Sequence, residues 1–301
     1  MYHDQLKEFA GKPVVYYKAD QPVDLSANVY RIHWDWDSEQ ELAESTKLFL
    51  ASDGIEQVEA IVFGAYGEYD DLPGDAIDVL IENRDKLPRL RSVFFGDSLY
   101  EEAMISSLFN SDMTAFFEAF PALEYVHIRG GSIAFKPFRH VALRKLVLES
   151  GGLSGSVLTN LSQCVLPELE HLEIWTGDPN YGAEVKASQI EPFLREGLFP
   201  KLTSLGIRNC AIIDELAPSI ASASVLSQID TLDLSGGTLS DVGATALVDA
   251  EGILGLKRLD LHRHFMSEEM CQRLEQLASM EVDVSDREPN KEYGRYVAMG
   301  E

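Results

Sequence analysis

The sequence has few cysteines, few basic residues and no long apolar run. Its three cysteines are an odd number and form no C-x-x-C pair, as expected for reduced thiols in a cytoplasmic protein. No run of about 18 uncharged apolar residues occurs, and the first residues lack a signal-peptide pattern, so we expect neither a membrane span nor a signal peptide. The 25 basic residues stand against 50 acidic ones, and the net charge of −25 predicts that nucleic acid and anionic membranes are not partners.

A leucine-rich pattern recurs along most of the chain. Residues 229–247 contain one complete unit, in which Ile229, Leu232 and Leu234 fit the pattern L-x-x-L-x-L and Ser240 begins a predicted helix. Proline stands two residues before four of the predicted strands, where it ends the preceding helix. The ten predicted starts have a mean spacing of about 28 residues and lie at positions 29, 58, 90, 123, 143, 169, 202, 229, 256 and 279.

Each unit would bury one side of a parallel strand and one side of a helix, so a unit is stable only beside its neighbours. We therefore predict an α/β fold, a right-handed leucine-rich-repeat solenoid with strands on the concave face and helices on the convex face. Residues 1–28 are predicted to form an N-terminal cap and residues 29–285 the solenoid of about nine or ten units. Residues 286–301 are predicted to form a loosely held C-terminal tail.

Two segments carry a family resemblance. LGIRNCAIIDELAPSI (205–220) and LDLSGGTLSDVGATAL (232–247) resemble repeats of the ribonuclease-inhibitor type, with Cys210 at that family's Cys/Asn position. The whole chain also resembles uncharacterised bacterial cytoplasmic leucine-rich-repeat proteins, a group without an assigned activity. Four units have glycine in place of the Cys/Asn residue, so ribonuclease inhibition is not expected here; these glycines are Gly131, Gly151, Gly177 and Gly237.

One short motif suggests catalysis. Phe95-Gly96-Asp97-Ser98-Leu99 resembles the nucleophile block of the GDSL esterases, which also need a D-x-x-H block, and no D-x-x-H occurs in the chain. Counted from Leu90, Ser98 takes the same repeat position as Cys210, where a small polar side chain bonds loop backbone. We predict a non-catalytic protein and keep a hydrolase acting through Ser98 as the alternative.

Metal and cofactor sites are not predicted. Asp260 and His262 fall on one strand face, but His264 falls in the following turn, so a third convergent ligand is not evident. Residues 177–188 lengthen one unit and predict a protruding loop, which is a second candidate contact surface.

The predicted binding surface consists of the fifth and seventh residues of each unit, which point outward in adjacent columns. In the first unit these are His33 and Asp35. An exposed Trp175 among arginines and carboxylates is typical of protein interfaces. The predicted binding residues are Phe94, His127, Arg129, Glu173, Trp175, Arg208, Asp233, Asp260, His262 and Arg263.

Two interpretations of this surface remain open at the level of sequence. The first is a protein-binding scaffold whose partner carries a basic or mixed-charge surface. The second is that pairs such as Asp260 with Arg208 or with His262 satisfy one another and only keep the sheet soluble. A structural or assembly subunit of a larger complex is a further alternative, and the sequence predicts no oligomeric state.

Overall fold

The computed structural model describes residues 5–34, 40–66, 73–99, 101–277, 280–289 and 294–300. The chain forms two compact units. Unit 1 contains Met1–Leu148 and Cys164–Leu166, and unit 2 contains Glu149–Gln163 and Pro167–Gly300. The bounds predicted for the cap, the solenoid and the tail stay predictions.

Strands follow chain order in each unit, as a leucine-rich repeat requires. An antiparallel hairpin opens unit 1, and the strands that follow it are parallel. The strands of unit 1 are β1 (Glu8–Phe9), β2 (Lys12–Tyr16), β3 (Val29–Ile32), β4 (Ala60–Phe63), β5 (Ser92–Phe95), β6 (Tyr125–Arg129) and β7 (Lys145–Glu149), whose last residue belongs to unit 2. The parallel strands of unit 2 are β8 (His171–Gly177), β9 (Ser204–Cys210), β10 (Thr231–Asp233), β11 (Arg258–Asp260) and β12 (Glu281–Asp283).

A helix follows each of the strands β3 to β5 and β7 to β11, whereas the described residues between β6 and β7 form none. Successive helices contact one another within each unit. In unit 1, α1 contacts α2 and α2 contacts α3; in unit 2, α4 contacts α5, α6 contacts α7 and α7 contacts α8. Their bounds are α1 (Leu42–Phe49), α2 (Gly74–Glu82), α3 (Thr114–Ala119), α4 (Gly155–Leu161), α5 (Ala187–Ile190), α6 (Ile213–Ala221), α7 (Asp241–Val248) and α8 (Glu268–Glu275). The predicted α/β repeat pattern is confirmed, while the right-handed winding stays a prediction.

The core forms where alternate strand residues meet the helices. Phe63 of β4 stacks on Phe95 of β5 at 5.1 Å between ring centroids, and Phe95 meets Phe116 of α3 edge to face at the same distance. In unit 2 the strand residues at the same repeat position are the buried Ile174 and Ile207, which pair with each other on β8 and β9. Strand residues between these core positions therefore point to the opposite side of the sheet.

The predicted register is confirmed from β4 to β6 and from β8 to β12. Val93 pairs with Ile61 and Val126, and Leu232 pairs with Leu205 and Leu259. The last predicted strand is also confirmed, with Asp260 opposite Asp283.

The register of the first unit was wrong by two residues. Tyr30, not Ile32, pairs with Ile61. The apolar alternation continues through residue 34, so it fits both the predicted register and the observed one. Packing decides between them, because the Tyr30 ring lies against α1, with its centroid 5.9 Å from that of Phe49. The outward residues of this unit are therefore Arg31 and His33, and Asp35 lies outside the described residues.

Across the described parts of the chain, every helix is too short or too polar to cross a membrane.

Candidate protein-binding face

In unit 1, the outward strand face is covered by the N-terminal segment, the stretch before β2 that contains Leu6 and Phe9. Phe94 was expected to be open to a ligand, but it is fully buried in a cluster with Phe9, Val29 and Val62. The rings of Phe9 and Phe94 lie 6.2 Å apart. Burial of these apolar groups holds the segment on the sheet, so the interpretation of Phe94 as an open contact was wrong.

The structure does bring the three predicted residues of unit 1 together. The His127 ring stacks on Phe94 at 3.9 Å between centroids, and the Arg129 guanidinium lies 5.1 Å from the Phe94 centroid. Arg129 is buried and His127 is half-buried. This cluster therefore contributes to packing beneath the N-terminal segment, and a binding role for it stays a prediction.

A buried ion pair anchors the same segment. Arg31 of β3 donates from Nε to Asp97 Oδ2 at 2.9 Å, and Asp97 is fully buried. Both residues also bind the backbone of Leu6: its N–H donates to Asp97 at 3.2 Å, and its carbonyl accepts from Arg31 at 2.8 Å. The pair therefore satisfies a stretch of N-terminal backbone that apolar packing alone would leave without partners.

The GDSL motif is the turn that presents Asp97. Gly96 has a φ of +93°, and a Cβ there would lie 2.6 Å from the Arg129 carbonyl oxygen, so only glycine fits. Ser98 is 3% exposed, and its hydroxyl donates to the Ala103 carbonyl at 3.3 Å. The predicted backbone-bonding role of Ser98 is confirmed, and this buried geometry gives the esterase alternative no support.

In unit 2, the outward residues form a continuous polar surface, here called the polar strand face. Register places Gly206 between Glu173 and Asp233, and Asp260 between Asp233 and Asp283, on adjacent strands about 4.8 Å apart. The face comprises Glu173, Trp175, Arg208, Asp233, Asp260, His262 and Asp283.

Arg208 connects one end of this face. Its Nη1 donates to Glu173 at 2.7 Å, and its Nε donates to Ser235 Oγ at 2.9 Å and lies 3.3 Å from Asp233 Oδ2. Gly206 leaves room for this arrangement, since a Cβ there would lie 3.1 Å from Glu173 Cγ. The guanidinium is therefore held in one position between two carboxylates.

Trp175 is buried, so the expectation that it is exposed was wrong. It is 8% exposed because the Arg208 guanidinium lies over its ring, 4.3 Å from the centroid. Its indole N–H donates to Glu173. Trp175 thus supports the charged groups from below.

The carboxylates of the face titrate differently. Burial raises the pKa of Asp233, although Arg208 acts in the opposite direction. Burial also lowers the pKa of Arg208, but Asp233 and Glu173 outweigh it, so the net shift is upward and Arg208 stays charged. The hydroxyl of Ser285 lowers the pKa of Asp283. A carboxylate kept in a partly buried, unfavourable position is typical of functional sites.

His262 and Arg258 organise the other end of the face. His262 Nδ1 donates to Asp260 at 2.7 Å, which raises the pKa of His262. Arg258 Nη2 donates to Asp260 at 2.9 Å and lies 3.6 Å from Asp283. Of the two pairs considered for Asp260, that with His262 is present, whereas Arg208 pairs with Glu173 and Asp233.

Asp260, His262 and Asp283 are also the described residues that could hold a metal ion, since one ligand atom of each lies within 4.8 Å of the others. Arg258 already contacts both carboxylates. Its positive charge opposes the binding of a cation at this position.

Two further residues lie away from the polar strand face. Arg263 is buried and donates to the carbonyl of Tyr296, so it contacts the C-terminal tail instead of an open surface. His264 accepts from the Met266 N–H and donates to the Val284 carbonyl. Burial lowers the pKa of His264, as expected for a neutral structural histidine.

Three residues of these surfaces were not predicted, although the sequence contains features that point to them. Arg31 was excluded by the register error in the first unit. Arg258 is the third residue of its unit, and strand alternation places the third and fifth residues on the same face. The predicted binding surface included only the fifth and seventh residues, so it left Arg258 out. Asn209 follows at the eighth position with a φ of +52°, a conformation that asparagine tolerates.

No protein-family model matches the chain, and no curated protein matches it in sequence. Among solved structures, a protein from Bacteroides fragilis matches with a TM-score of 0.78 and 27% identity, over 84% of this chain and 72% of that chain. An internalin from Listeria monocytogenes matches with a TM-score of 0.35 and 13% identity, over 81% of this chain and 57% of its own. The Bacteroides fragilis protein shares the fold, whereas the score of the internalin is too low to support any inference.

Proposed function

We propose that the chain is a non-catalytic protein-binding scaffold and that the polar strand face of unit 2 is its binding surface. The observation that carries this proposal is the fixed Arg208 guanidinium, buttressed by Trp175 and set beside carboxylates that remain partly open. Preorganised arginine and aromatic groups are common centres of protein interfaces.

The proposed partner presents a basic or mixed-charge segment. Glu173, Asp233, Asp260 and Asp283 outnumber Arg208 and Arg258 on and beside this face, and the chain as a whole carries a net charge of −25. The negative electrostatic potential of these carboxylates attracts basic groups and speeds their association. The ribonuclease-inhibitor type of the repeats and a cytoplasmic location belong to the same proposal, supported by the repeat at 202–212 and by the three free cysteines.

Charge reversal tests the proposal with a matched control. Asp283 lies on the face with 31% of its side chain exposed, and Glu251 is exposed elsewhere in unit 2. Asp283→Lys and Glu251→Lys change the net charge equally, so general electrostatics affect both alike.

Affinity capture from the native source should recover the same partners with wild type and Glu251→Lys. We expect Asp283→Lys to reduce their recovery at least tenfold, with an unchanged circular dichroism spectrum. Equal recovery by both variants would contradict the proposal.

A further inference from the structure

The C-terminal tail is bound to unit 2, contrary to the expectation of a loose tail. Residues 294–300 have the sequence GRYVAMG, and Val297 and Met299 are each only 6% exposed. The backbone of these residues hydrogen-bonds to Asn209 near the end of β9 and to the turns that follow β10 and β11. The segment therefore lies in a defined groove at the ends of these strands.

Three residues at the same repeat position line this groove. Asn209, Gly236 and Arg263 are each the eighth residue of their unit, and all three have positive φ values, between +52° and +73°. Adjacent strands lie about 4.8 Å apart and an extended chain advances about 3.3 Å per residue. Three segment residues thus span the two strand spacings from Arg263 to Asn209.

Asn209 binds the backbone of the segment through both polar groups of its side chain. Its side-chain carbonyl accepts from the Met299 N–H at 2.8 Å, and its amide donates to the Met299 carbonyl. Asn209 is fully buried. Two further bonds follow the strand order: the Ala298 N–H donates to the Gly236 carbonyl at 2.7 Å, and Arg263 donates to the Tyr296 carbonyl at 3.0 Å. These contacts recognise an extended backbone.

Side-chain size and charge add selectivity. A Cβ at position 300 would lie 2.1 Å from the Tyr181 ring, in the loop predicted at 177–188, so a larger residue here would have to displace that ring. A Cβ at Gly151 would likewise lie 2.3 Å from the Gly300 carbonyl oxygen. At the other end, Arg295 pairs with Asp214 and donates to the Thr238 carbonyl at 2.7 Å.

We propose that this groove is a peptide-binding site, separate from the polar strand face, for a partner segment of the form R-x-φ-x-φ-G, where φ is an apolar residue. Residues 294–300 occupy the site as an intramolecular ligand. A tethered segment acts at a high effective concentration, on the order of millimolar, so the partner segment binds only when residues 294–300 leave.

The test uses the full chain and a fluorescein-labelled GRYVAMG peptide. The double substitution Val297→Asp and Met299→Asp places charges at two buried positions of the segment and should release it while leaving the groove intact. By fluorescence anisotropy, we expect this open variant to bind the peptide at least tenfold more tightly than wild type does. Adding Asn209→Ala should weaken that binding at least tenfold, and a peptide with aspartate in place of its methionine should not bind.

A second variant that releases residues 294–300 controls for misfolding of the first. Gly300→Val places a side chain where the Tyr181 ring lies and should displace the other end of the segment, with Val297 and Met299 unchanged. Circular dichroism establishes that each variant is folded. The proposal is overturned if a folded open variant binds the peptide no better than wild type, or if Asn209→Ala has no effect. A wild-type dimer with position 299 cross-linked to position 209 of another copy would overturn it too, by assigning the groove to a second copy.

Discussion

Arg208 on β9 covers the indole ring of Trp175 on β8, with 4.3 Å from its guanidinium carbon to the ring centroid. The same guanidinium bridges Glu173 and Asp233. These contacts hold the tryptophan and the arginine together, so a ligand that contacts this face meets groups already in place. Less side-chain entropy is then lost on binding.

Removing Arg208 should destabilise the fold strongly. In Arg208→Met, Glu173 and Asp233 lose a shared partner in a site where the three side chains are at most 20% exposed. We expect a loss of about 3 kcal/mol in the free energy of unfolding, measured by urea denaturation.

Lys201→Met is the matched control, because Lys201 pairs with Glu168 at 2.6 Å where both side chains are well exposed. It should cost less than about 1 kcal/mol. An equal loss in both variants would show that Arg208 is not an organising residue of the face.

In a catalytic GDSL motif the serine would matter most, whereas in this turn we expect the aspartate to contribute more than the serine. Asp97→Asn leaves Arg31 buried without its charged partner and should cost about 3–5 kcal/mol in the free energy of unfolding. Ser98→Ala removes one hydrogen bond and should cost about 1 kcal/mol.

Thermal and urea unfolding of the two variants give these values, and labelling with a fluorophosphonate probe checks Ser98 directly. We expect no labelling. Labelling of wild type that Ser98→Ala abolishes would restore the esterase interpretation.

The stability contributed by His262 should depend on pH. Its hydrogen bond to Asp260 raises its pKa in the folded state above the ordinary value of 6.5. The folded protein therefore binds the proton more tightly, and this contribution is fully present below pH 6.5 and is lost as pH rises through the raised pKa.

Comparing wild type with His262→Gln by urea denaturation over this range checks the sign. The difference in the free energy of unfolding should be largest at the acidic end and shrink as pH rises. A difference that grows with pH would contradict the proposed ion pair.

Repeat periodicity predicted most of the fold and the composition of the polar strand face. Leu205, Leu232 and Leu259 fix the register of unit 2 because a two-residue shift there would place charged residues in the core. In the first unit, Tyr30 and Ile32 fit two registers equally well, so the pattern alone could not assign Arg31. Packing against α1 decides between them.

The two covering segments could not be predicted from periodicity. Leu6 and Met299 lie outside the repeats, and each is held by contacts to backbone from a residue far away in the sequence, Asp97 and Asn209 respectively. Both anchors look like ordinary turn residues in the sequence. Burial of Trp175 was missed for a related reason, since it depends on the conformation of one neighbouring arginine side chain.

Photo-crosslinking tests whether partners bind the polar strand face of unit 2. A photoreactive phenylalanine replaces His262, which is 23% exposed on the face, or Leu254, which is 48% exposed on the segment before β11. We expect captured partners to cross-link from position 262, through a segment that contains lysine or arginine, and not from position 254. Cross-linking from position 254 alone would contradict it.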